Sequence, residues 1–295
     1  KYTTKHVTLI ERFKLAHGAT GHNAGQIVSY FERGFASMVE EFGVERARAG
    51  QKAIDDAWEL LDEMYSDASL DIPFSRFMGH AGLTSMEQIL WHLKNNHARR
   101  LAGLHFAIIR IADVVGSEAI PADYTGLYTM QPHEDVLRTL ETDAKEYIAV
   151  VSTQKGCINS ALFCQEVLLF LLKKYPNRFA FYEHAPVHKI LLREDHAILD
   201  VEKHVITADH IALCTNGFEN VHIVTENGLD VDAKYHHLVS GKVGYMSGYL
   251  ETMNKLPVAI SYYNDPVPGM DNSYFYLTRR PYEYEKGTHH NLISI

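Results

Sequence analysis

The sequence predicts an α/β protein, long enough at 295 residues for two domains. Three observations carry this. An apolar, β-branched run near the N-terminus, Val7-Thr8-Leu9-Ile10, reads as a strand and passes through Glu11 into a loop holding Gly18, Gly21 and Gly25. From 38 to 64 the apolar residues recur at three-to-four spacing, the period of a helix. Beyond 178 the chain turns to short apolar runs with strand-like alternation.

Taken in order, the first run is expected to be a buried strand. Glu11 stands where a dinucleotide-binding fold places its acceptor for ribose hydroxyls, at the end of a second parallel strand. Glycines beyond it let backbone approach a bound cofactor. Residues 27–65 are expected to be helical, with Gly43 and Gly50 dividing a short helix from a longer one. Residues 71–82 read as a strand entering a turn. Thr84-Ser85-Met86-Glu87 follows as a Thr-x-x-Glu capping box for a helix through Leu93, with further helix to 115. Residues 124–130 read as strand or loop, and the 60–150 block as a helical outer layer. Asn159 is expected to cap an apolar helix over 161–172. Strands are predicted over 179–183, 187–190, 197–201 and 204–207. A fully apolar strand over 209–217 then closes on Thr215-Asn216-Gly217, which alone reads as a turn. Further strands are expected over 237–246, 257–263, 274–280 and 291–295, where tyrosines such as Tyr245, Tyr262, Tyr274 and Tyr276 crowd together.

Composition narrows the function classes. Apolar content of 46% and charged content of 22% are those of a globular protein. A formal charge of −9 with scattered basic residues argues against a nucleic-acid or anionic-membrane surface. No apolar run approaches the roughly 20 residues of a membrane span. The three cysteines show no metal spacing, and their odd, low count fits a reducing, cytoplasmic compartment. The 18 histidines stand singly or as adjacent pairs, so no metal site is expected.

Together, VTLIER and GATGHNAGQ resemble the second strand and flavin-facing loop of FAD-dependent oxidoreductases of the D-amino-acid oxidase superfamily. That group includes glycine and sarcosine oxidases, D-amino-acid dehydrogenases and polyamine-conjugate oxidoreductases. Members most like this chain read Ala-Ser-Gly-Arg-Asn-Gly-Gly or near it; here Thr20 stands for the Ser, His22 for the Arg and Ala24 for the first closing Gly. The resemblance implies a Rossmann-like FAD-binding domain over 1–60 and 151–220. It would be interleaved with a substrate domain over 61–150 and 221–295, built on a large mixed β-sheet. FAD is the implied cofactor, with Glu11 at the adenosine ribose, Thr20 at the pyrophosphate and His22, Asn23, Ala24, Gly25 and Gln26 along the isoalloxazine. Arg12, Ala19 and Gly21 complete that stretch. The backbone of Val187 is implied against the adenine, and Thr215, Asn216 and Gly217 beside the ribityl and pyrophosphate. His22 is implied to tune the flavin or hold its ring.

The superfamily carries a Gly-x-Gly-x-x-Gly turn about 20 residues before the acid. Ten residues precede Glu11, so that turn is expected outside the chain, as are the Gly-Gly segment and final helix that the family places beyond the last strand. The expectation is the middle portion of a longer flavoprotein. Ser160 stands where family members often carry proline.

The implied reaction is hydride transfer to flavin from the carbon bearing an amine, giving an imine that water hydrolyses. A neutral amine needs no catalytic acid or base, and none is assigned. Tyr276-Leu277-Thr278-Arg279-Arg280 matches a Tyr-Leu-x-x-Arg strand whose arginine binds substrate carboxylate in glycine-oxidase-like members. The implied substrate contacts are Arg280, Arg279 and Tyr276. The acceptor, oxygen or quinone, is left open. Two alternatives stand beside this reading. One is the same fold acting on a 2-hydroxy acid or another CH–OH or CH–NH substrate. The other is a non-catalytic subunit or remnant that binds no FAD alone, for want of the phosphate-binding helix N-terminus.

Overall fold

The computed structural model describes residues 4–31, 33–215, 221–231, 244–252, 255–264 and 274–295. In chain order the elements are β1 (Val7–Ile10), β2 (Gln26–Val28), α1 (Phe35–Phe42), α2 (Val44–Ala68), β3 (Phe74–Leu83), α3 (Met86–Leu101), β4 (Ile108–Ala112), β5 (Thr129–Gln131), α4 (His133–Thr139), β6 (Ala149–Ile158) and α5 (Ser160–Lys174). There follow β7 (Phe179–Tyr182), β8 (Val187–Leu192), β9 (Ala197–Val201), β10 (His204–Ala208), β11 (His222–Thr225), β12 (Gly248–Thr252), β13 (Val258–Tyr263), β14 (Tyr274–Tyr282) and β15 (His290–Ser294). Among the described residues no helix is long and apolar enough to cross a membrane.

The chain divides into two compact units, 1–23 with 160–245 and 24–159 with 246–295. In the first, β1 lies parallel to β7, with Val7 opposite Phe179 and Ile10 opposite Tyr182. A four-stranded sheet in the order β10-β9-β8-β11 buries Ile190, Ala197, Leu199 and Val201, with Ile10 packed against them. Two expectations are corrected here. β1 is a strand but not a buried one: Val7 and Leu9 are exposed, because β7 is its one paired neighbour among the described residues. Residues 210–215 form no strand, and Leu213 is 51% exposed. An apolar run without a paired neighbour has no ladder to hold it.

The second unit is built on a nine-stranded mixed sheet in the order β12-β15-β14-β13-β3-β6-β4-β5, with β2 also paired to β6. Its first face is covered by α3, whose Ile89 and Leu93 pack with Leu83, Ile109, Ile111 and Val151. Its second face is covered by α4, through Val136 and Leu140 with Val150, Val258 and Ile260, and by α2, whose Trp58 and Tyr65 stack on Phe74. Alternation along the strands keeps these two sets apart.

The sheet is strongly curved. Gln26 on β2 and Thr278 on β14 are separated by four ladders, a path of about 19 Å in a flat sheet. Yet Gln26 Nε2 donates to Thr278 Oγ1 at 2.6 Å. The first face is therefore concave between these strands. The ladder between β13 and β3 covers only three residue pairs, Ile260 to Tyr262 against His80 to Gly82, which lets the strands diverge.

Several local expectations shift. Residues 27 and 28 belong to β2 rather than to a helix, and Gln26 and Val28 pair with Cys157 and Lys155. That pairing draws 24–60 and 151–159 into the large-sheet unit, where the sequence reading placed them with the cofactor domain. The break at Gly43 is present, but α2 runs through Gly50. The capping box at α3 is formed by Ser85 and Gln88, one residue later than predicted. The chain leaves α3 at 101, and the isoleucine-rich 108–112 is strand rather than helix. The 60–150 block accordingly supplies β3, β4, β5 and the start of β6, three whole strands of the nine-stranded sheet, rather than only an outer helical layer. Most of the strand expected over 237–246 lies outside the described residues, and the described 244–246 are not strand.

Candidate active site

In the first unit, Glu11 ends β1 where the chain turns away from β7. Its Oε1 accepts from Phe13 N at 2.9 Å, and Oε2 meets no donor among the described residues. A half-exposed carboxylate at a parallel strand's C-terminal end, with one oxygen to spare, fits a ribose diol. Arg12 lies over the Phe13 ring at 4.9 Å. The loop beyond is held by its own polar atoms. Asn23 Nδ2 donates to Ala19 O at 2.9 Å and Thr20 O at 2.6 Å, and Asn23 Oδ1 accepts from Ser160 Oγ at 3.1 Å. His22 Nδ1 donates to Gly18 O at 3.1 Å, so in the neutral ring Nε2 is left as an acceptor. Ala19, Thr20, His22 and Asn23 are exposed, whereas Gly21 is held close to Ala16 O. Val187 opens β8 at a register shift against β9, and Thr215 is exposed. Asn216 and Gly217 lie outside the described residues.

In the second unit, Ala24 and Gly25 are buried. Gly25 has φ +74, and a Cβ there would stand 2.0 Å from Ile158 O, so no other residue fits this turn without strain. Gln26 follows at once on the concave face. Besides its bond to Thr278, its Oε1 accepts from Lys155 Nζ at 3.3 Å. Lys155 is 4% exposed and has no carboxylate partner among the described residues; burial pulls its ammonium down to about 8. Cys157, opposite Gln26 across the β2–β6 ladder, is buried, and burial pushes its thiol up to about 11, which makes it no nucleophile.

The two candidate arginines separate. Arg279 points to the second face, where its Nη1 and Nη2 donate to Glu141 at 3.0 and 2.8 Å and its Nε to Glu251 at 2.9 Å. The bidentate bond to Arg279 holds the Glu141 carboxyl below its ordinary value. Arg279 is thus occupied within the fold, on the face opposite to Arg280, as the alternation of β14 requires. Arg280 points to the concave face with Tyr276 and Thr278. It meets no carboxylate among the described residues, its Nε is buried without an acceptor, and burial lowers its pKa. The tyrosines also divide. Tyr262 turns to the second face and donates to Leu140 O at 2.6 Å, Tyr245 is fully exposed, and Tyr263, Tyr274 and Tyr276 remain on the concave side. Lys155 escaped the sequence reading; the signal was a lysine inside the strand-like run AVVSTQKGCI.

The sequence profile described as DAO, FAD dependent oxidoreductase, matches residues 2–289. Among solved structures, L-proline dehydrogenase from P. horikoshii aligns over 98% of this chain and 62% of its own, with 13% identity and a TM-score of 0.53. Glycine oxidase from Geobacillus kaustophilus aligns over 98% and 65%, also at 13% identity, with a TM-score of 0.51. Glycine oxidase from Bacillus cereus gives 98%, 64%, 13% and 0.51. The chain thus spans less than two thirds of the length of these structures, and the likeness is one of fold. No curated protein matches.

Proposed function

This chain belongs to the FAD dependent oxidoreductase family, and from that premise we propose that its protein oxidises the carbon–nitrogen bond of an amino acid or related amine carrying a carboxylate. One observation supports this most. Gln26, the last residue of the glycine loop, is bonded to β14 at Thr278, two residues from a partly desolvated Arg280 that no acid among the described residues neutralises. FAD, when bound, supplies the two-electron acceptor for the carbon bearing the amine.

The residues of the chain do the rest. Glu11 accepts from the ribose hydroxyls, and the exposed stretch Ala19, Thr20, Gly21, His22 and Asn23 lines the cofactor with Ala24, Gly25 and Gln26. Arg12, Val187, Thr215, Asn216 and Gly217 contribute further cofactor contacts. Arg280 takes the substrate carboxylate in a two-point bond that fixes the amine-bearing carbon, while Tyr276 packs beside it. The same anchor serves a 2-hydroxy acid equally well, so the substrate's second functional group is decided by experiment.

The test is the visible spectrum of the purified protein, followed by anaerobic addition of an amino-acid panel and a 2-hydroxy-acid panel. A flavin spectrum bleached by amino acids is the expected result. Bleaching by hydroxy acids alone replaces the substrate class, and a colourless protein that takes up no added FAD ends the reading.

A further inference from the structure

The concave face holds an excess of hydrogen-bond donors. Lys155 Nζ carries three N–H groups and among the described residues meets one acceptor, Gln26 Oε1, at the long distance of 3.3 Å. Arg280 carries five and, with its Nε buried, meets none among the described residues. Gln26 gives its amide N–H to Thr278, so the residue between the two cations adds no negative charge. Of the ionisable neighbours of Arg280, Cys157 has its thiol pushed up by burial and Tyr282 lies with its ring 5.6 Å from the guanidinium, so neither is a carboxylate. The stem of Lys155 is guided into this place by Gly79, where a Cβ would stand 2.3 Å from Lys155 Cδ. Two desolvated cations with no acid beside them among the described residues are costly in a folded protein, and the arrangement becomes favourable when anionic groups arrive.

The cations do not converge on one point. Lys155 reaches Gln26, Gln26 reaches Thr278, and Arg280 stands two residues along β14 from Thr278 on the same face, about 7 Å further by strand geometry. A single carboxylate on Arg280 therefore leaves Lys155 unneutralised.

We propose that Lys155 and Arg280 together form a two-cation site that selects a ligand with two acid groups, an amino dicarboxylate as substrate. As a statement about substrate this rests on the function proposed above; as a binding site it stands on the geometry of the large-sheet unit.

The experiment is calorimetric titration of the purified protein with unreactive acids: malonate, succinate and glutarate against acetate and propionate. The best dicarboxylate is expected to bind at least about 10-fold tighter than either monocarboxylate, as a second desolvated ion pair requires. Lys155→Met is expected to erase that preference while leaving monocarboxylate affinity within about 2-fold, and Arg280→Leu to weaken both classes. No preference in the unsubstituted protein overturns the inference without recourse to any variant, as does a preference that survives Lys155→Met. A protein that holds flavin and oxidises monocarboxylic amino acids without a dicarboxylate preference sinks this inference alone. A preference in a protein that takes up no flavin keeps the site and removes the proposed reaction.

Discussion

On one face of β14, Arg279 donates to Glu141 and Glu251 and is 2% exposed; on the other, Arg280 is desolvated beside Cys157 and Thr278 with no acid among the described residues. The two arginines are adjacent in sequence, identical in chemistry and opposite in circumstance. Arg279 is balanced within the fold, so its charge serves the packing of β14 against the α4 end of the sheet. Arg280 is half-buried and unbalanced among the described residues, and a partly desolvated cation without an acid points to a ligand rather than to the fold. Lys155 stands with Arg280 in this respect.

Substitution sharpens that contrast. Arg280→Leu is expected to lower kcat/KM for an amino acid by about 100-fold or more, the loss that follows removal of a buried charge partner, while stability changes by about 1 kcal/mol or less. Steady-state kinetics and urea denaturation read the two quantities. Arg279→Leu is expected to do the reverse. It leaves Glu141 and Glu251 with Lys255 alone among the described cations, at 3.6 and 3.7 Å, and lowers stability by about 2–4 kcal/mol, toward the low end because Lys255 remains and both carboxylates keep some water. Equal effects from the two variants on both measurements break the comparison.

Lys155 gives a pH signature. Its ammonium titrates near 8 in the folded protein against 10.5 when solvated, so between these values the unfolded chain holds a proton that the folded one has released. Stability from this group therefore rises with pH from about 8 to 10.5, and the penalty is fully present below 8, at about 3 kcal/mol or less. Cys157 opposes it, since a thiol raised from 9.0 to about 11 loses stability over 9 to 11. The difference between Lys155→Met and the unsubstituted protein cancels the thiol. That difference is expected to favour the variant at pH 7 and to shrink as pH climbs to 10, measured by denaturation at each pH. The smallest effect is expected at the cofactor end, where Glu11→Gln weakens FAD binding by about 10-fold, read by fluorescence of released flavin.

Much of this was legible in the sequence. The acid at the end of Val7–Ile10, the glycine loop and the Tyr-Leu-x-x-Arg strand are local patterns, and the family profile agrees with the resemblance they carry. Strand alternation shows that Arg279 and Arg280 take opposite faces, but which face holds Glu141 depends on a register formed between residues 138 positions apart. Burial of β1 and of 210–215 is not legible locally, because it depends on neighbouring strands rather than on apolar content. Lys155 is not legible for a related reason: a lysine in an apolar run is unremarkable until the sheet sets it beside Gln26, which itself reaches Thr278.

The most direct measurement is anaerobic titration of the purified protein with amino acids, following the visible flavin spectrum in the unsubstituted, Arg279→Leu and Arg280→Leu forms. All three are expected to carry flavin. The first two are expected to bleach over the same concentration range and the third only at about 100-fold higher concentration. Bleaching of Arg280→Leu at the unsubstituted concentration, or loss of bleaching in a folded Arg279→Leu alone, contradicts the division of labour across β14.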